Sequence, residues 1–270
     1  MNEREAPVAR SRLLTPAWSL ARREITRFLR QRSRIIGAVG TPLIFWLLFG
    51  GGIGSSFKVE QLGESYLEYS YPGAIASILL FTAIFSMISI IDDRSEGFMQ
   101  GVLVAPVSRM AIVLGKVAGA SVLAVGQAAI FLLLAPIAGL KPGLLEIVET
   151  FAAMILLSIA VCGLGFWIAW RMESTQGFHA VMNVVLMPML ALSGAFFPMS
   201  GASRAIVWLM RLNPMTYGVS LIRAALLGKG TDEATGLNVM TALGVTLAFT
   251  IVMLAFSIRA ASREAKHALA

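Results

Sequence analysis

The sequence predicts an all-α membrane protein with six transmembrane helices, an N-terminal amphipathic interface helix and a re-entrant helical hairpin before the last span. Three observations lead to this fold class. Of the 270 residues, 57% are hydrophobic and only 14% are charged, whereas soluble domains carry roughly a quarter charged residues. Six apolar runs reach the roughly 20 residues that cross a bilayer core. A basic, amphipathic segment precedes the first of these runs.

The basic segment is the predicted cytoplasmic N-terminus, residues 1–34. Apolar residues recur at helical spacing from Leu14 to Leu29, and arginines occupy the other side. Such a helix lies in the membrane interface with its arginines facing anionic headgroups. We expect it to begin at Thr15-Pro16, because proline is favoured at the first helical position. Its interface residues are Trp18, Arg22, Arg23 and Arg27. A cleaved signal peptide fits poorly, since the basic lead is too long.

The predicted transmembrane domain covers residues 35–258, and a cytoplasmic tail follows at 259–270. Only one span contains a charged residue, Lys116, and we expect that lysine to snorkel to the membrane surface. The six spans lie approximately at 35–55, 70–91, 113–137, 151–170, 178–198 and 237–258.

The external segment between the last two spans, 199–236, contains two short apolar helices. The second is expected to start at Asn213-Pro214 and to end at Gly228, a pattern of cap, proline and glycine that is typical of helix boundaries. Both helices are too short to cross the membrane and too apolar for a free loop. We expect a hairpin that dips into the outer leaflet or plugs the external mouth of the bundle, and an amphipathic pair lying flat on the surface is the alternative.

The distribution of basic residues predicts the orientation. With the N-terminus inside, 16 of the 22 lysines and arginines fall on the cytoplasmic side and six outside. The positive-inside rule then places both termini of this multi-pass protein in the cytoplasm. The membrane that we expect it to span is the cell (inner) membrane. The basic excess therefore indicates topology in a lipid bilayer, and no nucleic-acid partner is expected.

One cytoplasmic loop, residues 91–109, is unusually charged. It places Asp92, Asp93, Arg94 and Glu96 within five positions, followed by a short apolar helix that should stop before Pro106. Charges that dense lie outside hydrocarbon. The loop is either a docking surface through which a soluble partner delivers mechanical work, or an ordinary polar connection between spans.

The chain lacks the motifs of an energy source or an enzyme. It contains no Gly-x-x-x-x-Gly-Lys-Ser/Thr phosphate loop, no His-Glu-x-x-His and no Gly-x-Ser-x-Gly. His179 and His267 belong to no ligand-spaced cluster, so we expect no metal site and no catalytic residue. The spans also lack the carboxylates that ion-driven carriers keep at membrane depth, which argues against a stand-alone secondary carrier.

Three segments of the sequence form a set in a fixed order. The first covers residues 92–116, with Arg94, Glu96-Gly97, Leu103 to Pro106, Ser108-Arg109 and Gly115-Lys116, and the others are Ser193 to Met199 and Asn213 to Tyr217. Together they resemble the signature of ABC-type-two exporter permeases, a family of drug, lipid-linked glycan and nodulation-factor exporters. The sequence departs from that signature at Phe98 and Gln100, where the family commonly has threonine and an acidic residue.

The resemblance implies a half-transporter that binds no cofactor itself. ATP and Mg²⁺ would be bound by a nucleotide-binding ATPase subunit, and the permease would form a homodimer or pair with a sibling. An interface helix (14–34) and a coupling helix (92–105) would contact the ATPase subunit, and the first, second and fifth spans would lie near an outward route. A non-transporting docking or assembly protein is the alternative. The coupling candidates are Asp92, Asp93, Arg94, Glu96, Gly97, Phe98, Leu103 and Pro106.

Polar and soft apolar side chains within the predicted spans are candidates for lining that route. For the polar ones, hydrogen bonding between helices is the alternative, and for the apolar ones packing within the bundle. The candidates are Ser86, Gln127, Asn183, Met187, Phe196 and Phe197.

Overall fold

The computed structural model describes residues 8–48, 65–104 and 107–267, and most of them are helical, which confirms the all-α prediction. Two short strands, β1 (Thr231–Asp232) and β2 (Leu237–Asn238), pair antiparallel between the last two helices. The helices are α1 (Val8–Arg30), α2 (Arg32–Leu48), α3 (Tyr66–Ser95), α4 (Phe98–Val104), α5 (Arg109–Leu132), α6 (Leu144–Ala169), α7 (Thr175–Ala191), α8 (Arg204–Leu212), α9 (Pro214–Leu227) and α10 (Val239–His267).

Within the described ranges, four helices are long and apolar enough to cross a membrane. They are α3, α5, α6 and residues 239–262 of α10, and they coincide with the second, third, fourth and sixth predicted spans. The first and fifth predicted spans fall on α2 and α7, of 17 residues each. Residues 49–55 of the first predicted span lie outside the described residues. The count of six spans therefore stays a prediction.

The central element is α3, which packs against α2, α5, α6 and α9. Side chains along its whole length are buried, and Ile75, Leu79 and Met87 have no exposed surface. A helix that is apolar on all sides belongs in the middle of a bundle. A displacement of α3 would therefore affect the four helices that pack around it, α2, α5, α6 and α9.

A close crossing joins α1 to α5. A Cβ atom added to Gly115 would lie 2.6 Å from the Ala17 carbonyl oxygen, and one added to Gly119 would lie 2.9 Å from that of Ala21. Glycines four residues apart allow two helices to approach in this way. The predicted start at Thr15-Pro16 is wrong, because the helix already includes Val8 and contains Pro16 in its interior. Packing against α5 outweighs the one backbone hydrogen bond that the proline cannot donate.

The charged loop is divided between two helices. The predicted coupling helix over 92–105 is wrong at its start, since α3 continues to Ser95 and α4 begins only at Phe98. Between them Gly97 adopts a φ of 76°, a left-handed conformation that glycine adopts without the penalty of a Cβ atom. Asp92, Asp93 and Arg94 therefore belong to the last turn of α3.

The boundaries predicted for α9 are confirmed. The Asn213 side chain accepts a hydrogen bond of 3.0 Å from the Met215 backbone N–H, and Gly228 ends the helix with a φ of 64°. The helix is buried against α6 and α10, whereas Trp208 on α8 is 67% exposed. Whether α8 and α9 re-enter the membrane stays a prediction.

Candidate functional site

A buried cluster of charged side chains joins α1, α3 and α5, and Asp93 is its centre. Its Oδ1 atom accepts hydrogen bonds from Arg23 Nη2 at 2.7 Å and from Arg27 Nη1 at 2.6 Å. Its Oδ2 atom accepts from Arg23 Nη1 at 2.9 Å and from Lys116 Nζ at 2.6 Å. The Asp93 side chain is 0% exposed, so in this arrangement it has no surface to offer to a partner.

Lys116 completes the centre of the cluster. Its ammonium donates to Glu24 Oε2 at 2.7 Å and to Ser89 Oγ at 2.9 Å, besides Asp93. All three N–H groups of the ammonium are thereby used. The prediction that Lys116 snorkels to the surface is wrong, since the residue is 1% exposed. A buried ammonium requires charged partners, and the carboxylates of Glu24 on α1 and Asp93 on α3 provide them.

The rim of the cluster extends to the end of α3. Arg27 Nη2 lies 3.2 Å from Asp92 Oδ2 and 3.4 Å from Glu96 Oε1, and Arg34 Nη2 lies 3.1 Å from the same Asp92 oxygen. The hydrogen bonds with Asp93 raise the pKa of the Arg23 guanidinium above its usual range. The cluster is formally neutral, since Glu24, Asp92, Asp93 and Glu96 face Arg23, Arg27, Arg34 and Lys116.

The short helix α4 is attached to this cluster by an aromatic contact. The Arg23 guanidinium lies 3.7 Å from the centre of the Phe98 ring. Arg94 points elsewhere and donates to the Trp170 carbonyl at 2.8 Å. Among the coupling candidates, the Glu96 side chain is 60% exposed and Phe98 is 36% exposed.

The remaining coupling candidates are placed only in part. Gly97 forms the turn between α3 and α4. Pro106 lies outside the described residues, as does the side chain of Leu103. A coupling role for the whole set stays a prediction.

The interface residues of α1 divide into two groups. Trp18 is 71% exposed, and Arg22 is exposed as well. The side chains of Arg23 and Arg27 are only 32% and 19% exposed and turn onto Asp93. The expectation that all these arginines face headgroups is therefore wrong for Arg23 and Arg27, because both side chains pair with Asp93 on α3 instead.

An apolar cleft of about 560 Å³ lies between α2, α3 and α7. It contains three of the predicted route residues, Asn183, Met187 and Phe196, and these helices are those predicted as the first, second and fifth spans. The other lining residues are Pro42, Phe45, Trp46, Tyr66, Ser70, Ala74, Ser77, Phe81, Pro188, Leu190 and Ala191.

The other three predicted route residues are not among those that line the cleft. Gln127 Oε1 accepts a 3.1 Å hydrogen bond from Thr82 Oγ1, so it links α3 to α5 as the alternative interpretation held. Ser86 is fully buried in α3, and Phe197 is half-buried beside the cleft.

Sequence reasoning missed Glu24 and Ser89 as partners of Lys116. One signal was present, because Glu24 is the only acidic residue of the arginine-rich helix and Lys116 the only charge in its span. Opposite charges at two such isolated positions favour a pair.

Comparison with known proteins gives a consistent family assignment. Residues 15–227 match the family described as ABC-2 type transporter, a range that includes the ion-pair cluster and the cleft. The chain is 29% identical over 211 residues to the transport permease ycf38 of Cyanophora paradoxa, covering 76% of this chain and 71% of the relative. It is 26% identical over 221 residues to Nodulation protein J of Rhizobium leguminosarum bv. viciae, covering 81% and 82%.

Proposed function

Because the chain belongs to the ABC-2 type transporter family, we propose that it is the transmembrane permease subunit of an ATP-binding-cassette exporter. In this proposal a separate nucleotide-binding subunit hydrolyses ATP with Mg²⁺, and substrate moves outward through the membrane. The membrane-spanning helices and the similarity to a transport permease support the permease role.

The observation that carries the proposal is the position of α3 between the cluster and the cleft. The last turn of α3 is held to α1 and α5 through Asp93. Farther up the same helix, Ala74, Ser77 and Phe81 line the cleft. Because α3 is one unbroken helix, a force applied to α1 or α4 would shift a wall of the cleft.

The exposed parts of the same region are the proposed contacts for the ATPase subunit. Glu96 and Phe98 offer a charge and an aromatic ring beside the turn at Gly97. The excess of basic residues on this side of the membrane supports a cytoplasmic location. The cluster behind these residues would pass the displacement on to α3.

The proposed transporter contains two permease subunits, either two copies or this chain and a sibling. In each, α2 and α7 would complete six spans. Both helices expose large apolar side chains, with Ile36 69%, Leu48 63% and Val184 75% exposed. These surfaces would face lipid or the second subunit, and the apolar walls of the cleft favour an apolar or lipid-linked cargo.

The test is reconstitution with a cognate ATPase subunit in proteoliposomes. We expect a stable complex, ATP hydrolysis stimulated by the permease, and ATP-dependent movement of an apolar fluorescent dye towards the external side. A Glu96→Lys/Phe98→Ala variant should lower the stimulation while inserting normally. Glu149→Lys, an exposed change at the N-terminal end of α6, is the matched control. A complex that forms without stimulation or transport would favour a docking or assembly protein instead.

A further inference from the structure

The face of α1 that does not pack on α5 carries two different stripes. One stripe is apolar and strongly exposed, with Leu14 67%, Trp18 71% and Leu29 56% exposed. The other is polar and exposed, and consists of Ser19, Arg22, Thr26 and Arg30. Spacings of three and four residues place the polar set on one line along the helix, and spacings of four and eleven do the same for the apolar set.

A polar hollow of about 680 Å³ adjoins the second stripe. Two of its four arginines, Arg23 and Arg27, are neutralised by the carboxylates of α3. Across the ranges described above, Arg22 and Arg30 have no such partner. The lining residues are Ser19, Arg22, Arg23, Thr26, Arg27, Arg30, Gln31 and Glu96.

A second observation points to a ligand in the hollow. The Oε1 atom of Gln31 is buried and has no hydrogen-bond partner within the described part of the chain. Buried polar atoms are normally paired. The hollow thus offers an anion the guanidinium groups of Arg22 and Arg30 and the hydroxyl of Ser19, since the Thr26 hydroxyl donates to the Arg22 carbonyl at 2.9 Å. The Gln31 oxygen only accepts, so its partner would be a hydroxyl of the headgroup and not a phosphate oxygen.

We propose that this hollow binds the phosphate group of an anionic phospholipid, with the acyl chains lying along the apolar stripe. Guanidinium forks match phosphate oxygens in geometry and charge. Trp18 within the stripe suits the boundary between headgroups and hydrocarbon. An acidic protein segment would pair with Arg22 and Arg30 but would leave the apolar stripe uncovered, so a lipid fits both halves of the face. This inference does not depend on ATP coupling or transport direction.

The site would connect lipid composition to the cluster. Arg27 lines the hollow and also binds Asp93, and Glu96 lines it from the end of α3. A phosphate held beside them would add negative charge where the permease is proposed to meet its ATPase subunit.

The experiment measures lipid bound to the purified full-length chain by native mass spectrometry, with phosphatidylglycerol and phosphatidylcholine as probes. The variant is Arg22→Gln/Arg30→Gln, and neither side chain belongs to the ion-pair cluster. The matched control is Arg204→Gln/Arg211→Gln, which removes the same charge from exposed positions on α8. Each basic residue near an anionic surface is worth roughly fivefold in affinity, so phosphatidylglycerol binding should fall about 25-fold in the variant.

Each other outcome would overturn the proposal. Binding of phosphatidylglycerol that is unchanged in Arg22→Gln/Arg30→Gln would remove the site, and an equal loss in Arg204→Gln/Arg211→Gln would reduce it to bulk electrostatics. Equal binding of phosphatidylcholine would contradict the requirement for an anion. Full displacement of the lipid by excess inorganic phosphate would show a site for a free anion, in which the apolar stripe has no part.

Discussion

The two ends of α3 are held by buried ionic networks that are built differently. At one end Asp93 binds Arg23, Arg27 and Lys116, which lie 70, 66 and 23 residues away in sequence. At the other end Arg223 pairs at 3.1 Å with Asp232, only nine residues away. The first network joins three helices through side chains, and the second is largely closed within one short stretch of chain.

The second network is attached to α3 through Tyr69. Arg223 Nη2 and the Tyr69 hydroxyl both donate to the Gly194 carbonyl, each at 2.8 Å. Asp232 also accepts from the Ala234 backbone N–H at 3.0 Å. This network therefore fixes the loop after α7 and the β-hairpin against the start of α3.

The contrast indicates two mechanical roles for one helix. Positions 69 and 93 are about 36 Å apart at a rise of ~1.5 Å per residue, which is close to the thickness of a bilayer core. A junction of separate helices at Asp93 can transmit displacement between them. In the proposed coupling, the local junction at Arg223 would hold the far end of α3, and a displacement at Asp93 would become a tilt of the helix.

Loss of Lys116 should have the largest effect on stability. Lys116→Met leaves Glu24 buried at 2% exposure without its only basic partner among the described contacts, and it removes one of three partners from Asp93. Breaking a buried pair in this way costs about 3–5 kcal/mol of unfolding free energy. This loss of unfolding free energy is measured by denaturing the purified chain in mixed micelles.

The control restores charge balance rather than the pair. In Glu24→Gln/Lys116→Met the unpaired carboxylate is gone, and Asp93 keeps both Arg23 and Arg27. We expect most of the lost stability to return, since a buried pair can often be replaced by neutral groups. A double variant as unstable as Lys116→Met would contradict the ionic explanation and point to packing.

Arg223→Met should be the second largest change. Asp232 would lose its ion pair but keep the Ala234 backbone N–H and the Thr235 hydroxyl, the latter at 2.9 Å. We therefore expect a loss of about 2 kcal/mol, smaller than for Lys116→Met under the same denaturation assay. The ranking of the two junctions would be reversed if Arg223→Met had a lower unfolding free energy than Lys116→Met.

The difference between the two networks also explains what the sequence could predict. Hydropathy and capping residues act locally, so the spans at α3, α5, α6 and α10 and the limits of α9 were predictable. No local pattern identifies Glu24 as the partner of Lys116, because the two residues lie 92 positions apart and only the isolation of their charges indicates a pair. The same reason applies to Gln127, whose partner Thr82 is on another helix. Asn183 and Met187 lie four residues apart on α7, and the structure places both in one cleft with Phe196.

Gly119→Ala should have a smaller effect that isolates the α1–α5 contact. The added methyl would lie 2.9 Å from the Ala21 carbonyl oxygen, and overpacking of this kind costs about 1–3 kcal/mol. Gly126→Ala is the matched control on α5, since its added Cβ would meet nothing within 4 Å. There we expect no loss, or a gain of up to ~1 kcal/mol from helix propensity. Equal losses in both variants would mean that backbone preference, and not the crossing, is being measured.

Glu96→Gln should change stability least. Its contact with Arg27 is long at 3.4 Å and its side chain is 60% exposed, and exposed pairs contribute at most about 1 kcal/mol. The unfolding free energy should therefore stay within ~0.5 kcal/mol of the wild type, although the position is a proposed contact for the ATPase subunit. A loss as large as that of Lys116→Met would show that the cluster behaves as one unit out to its rim. Glu96 would then act by holding α3 in place, and a transport defect at this position would no longer indicate docking.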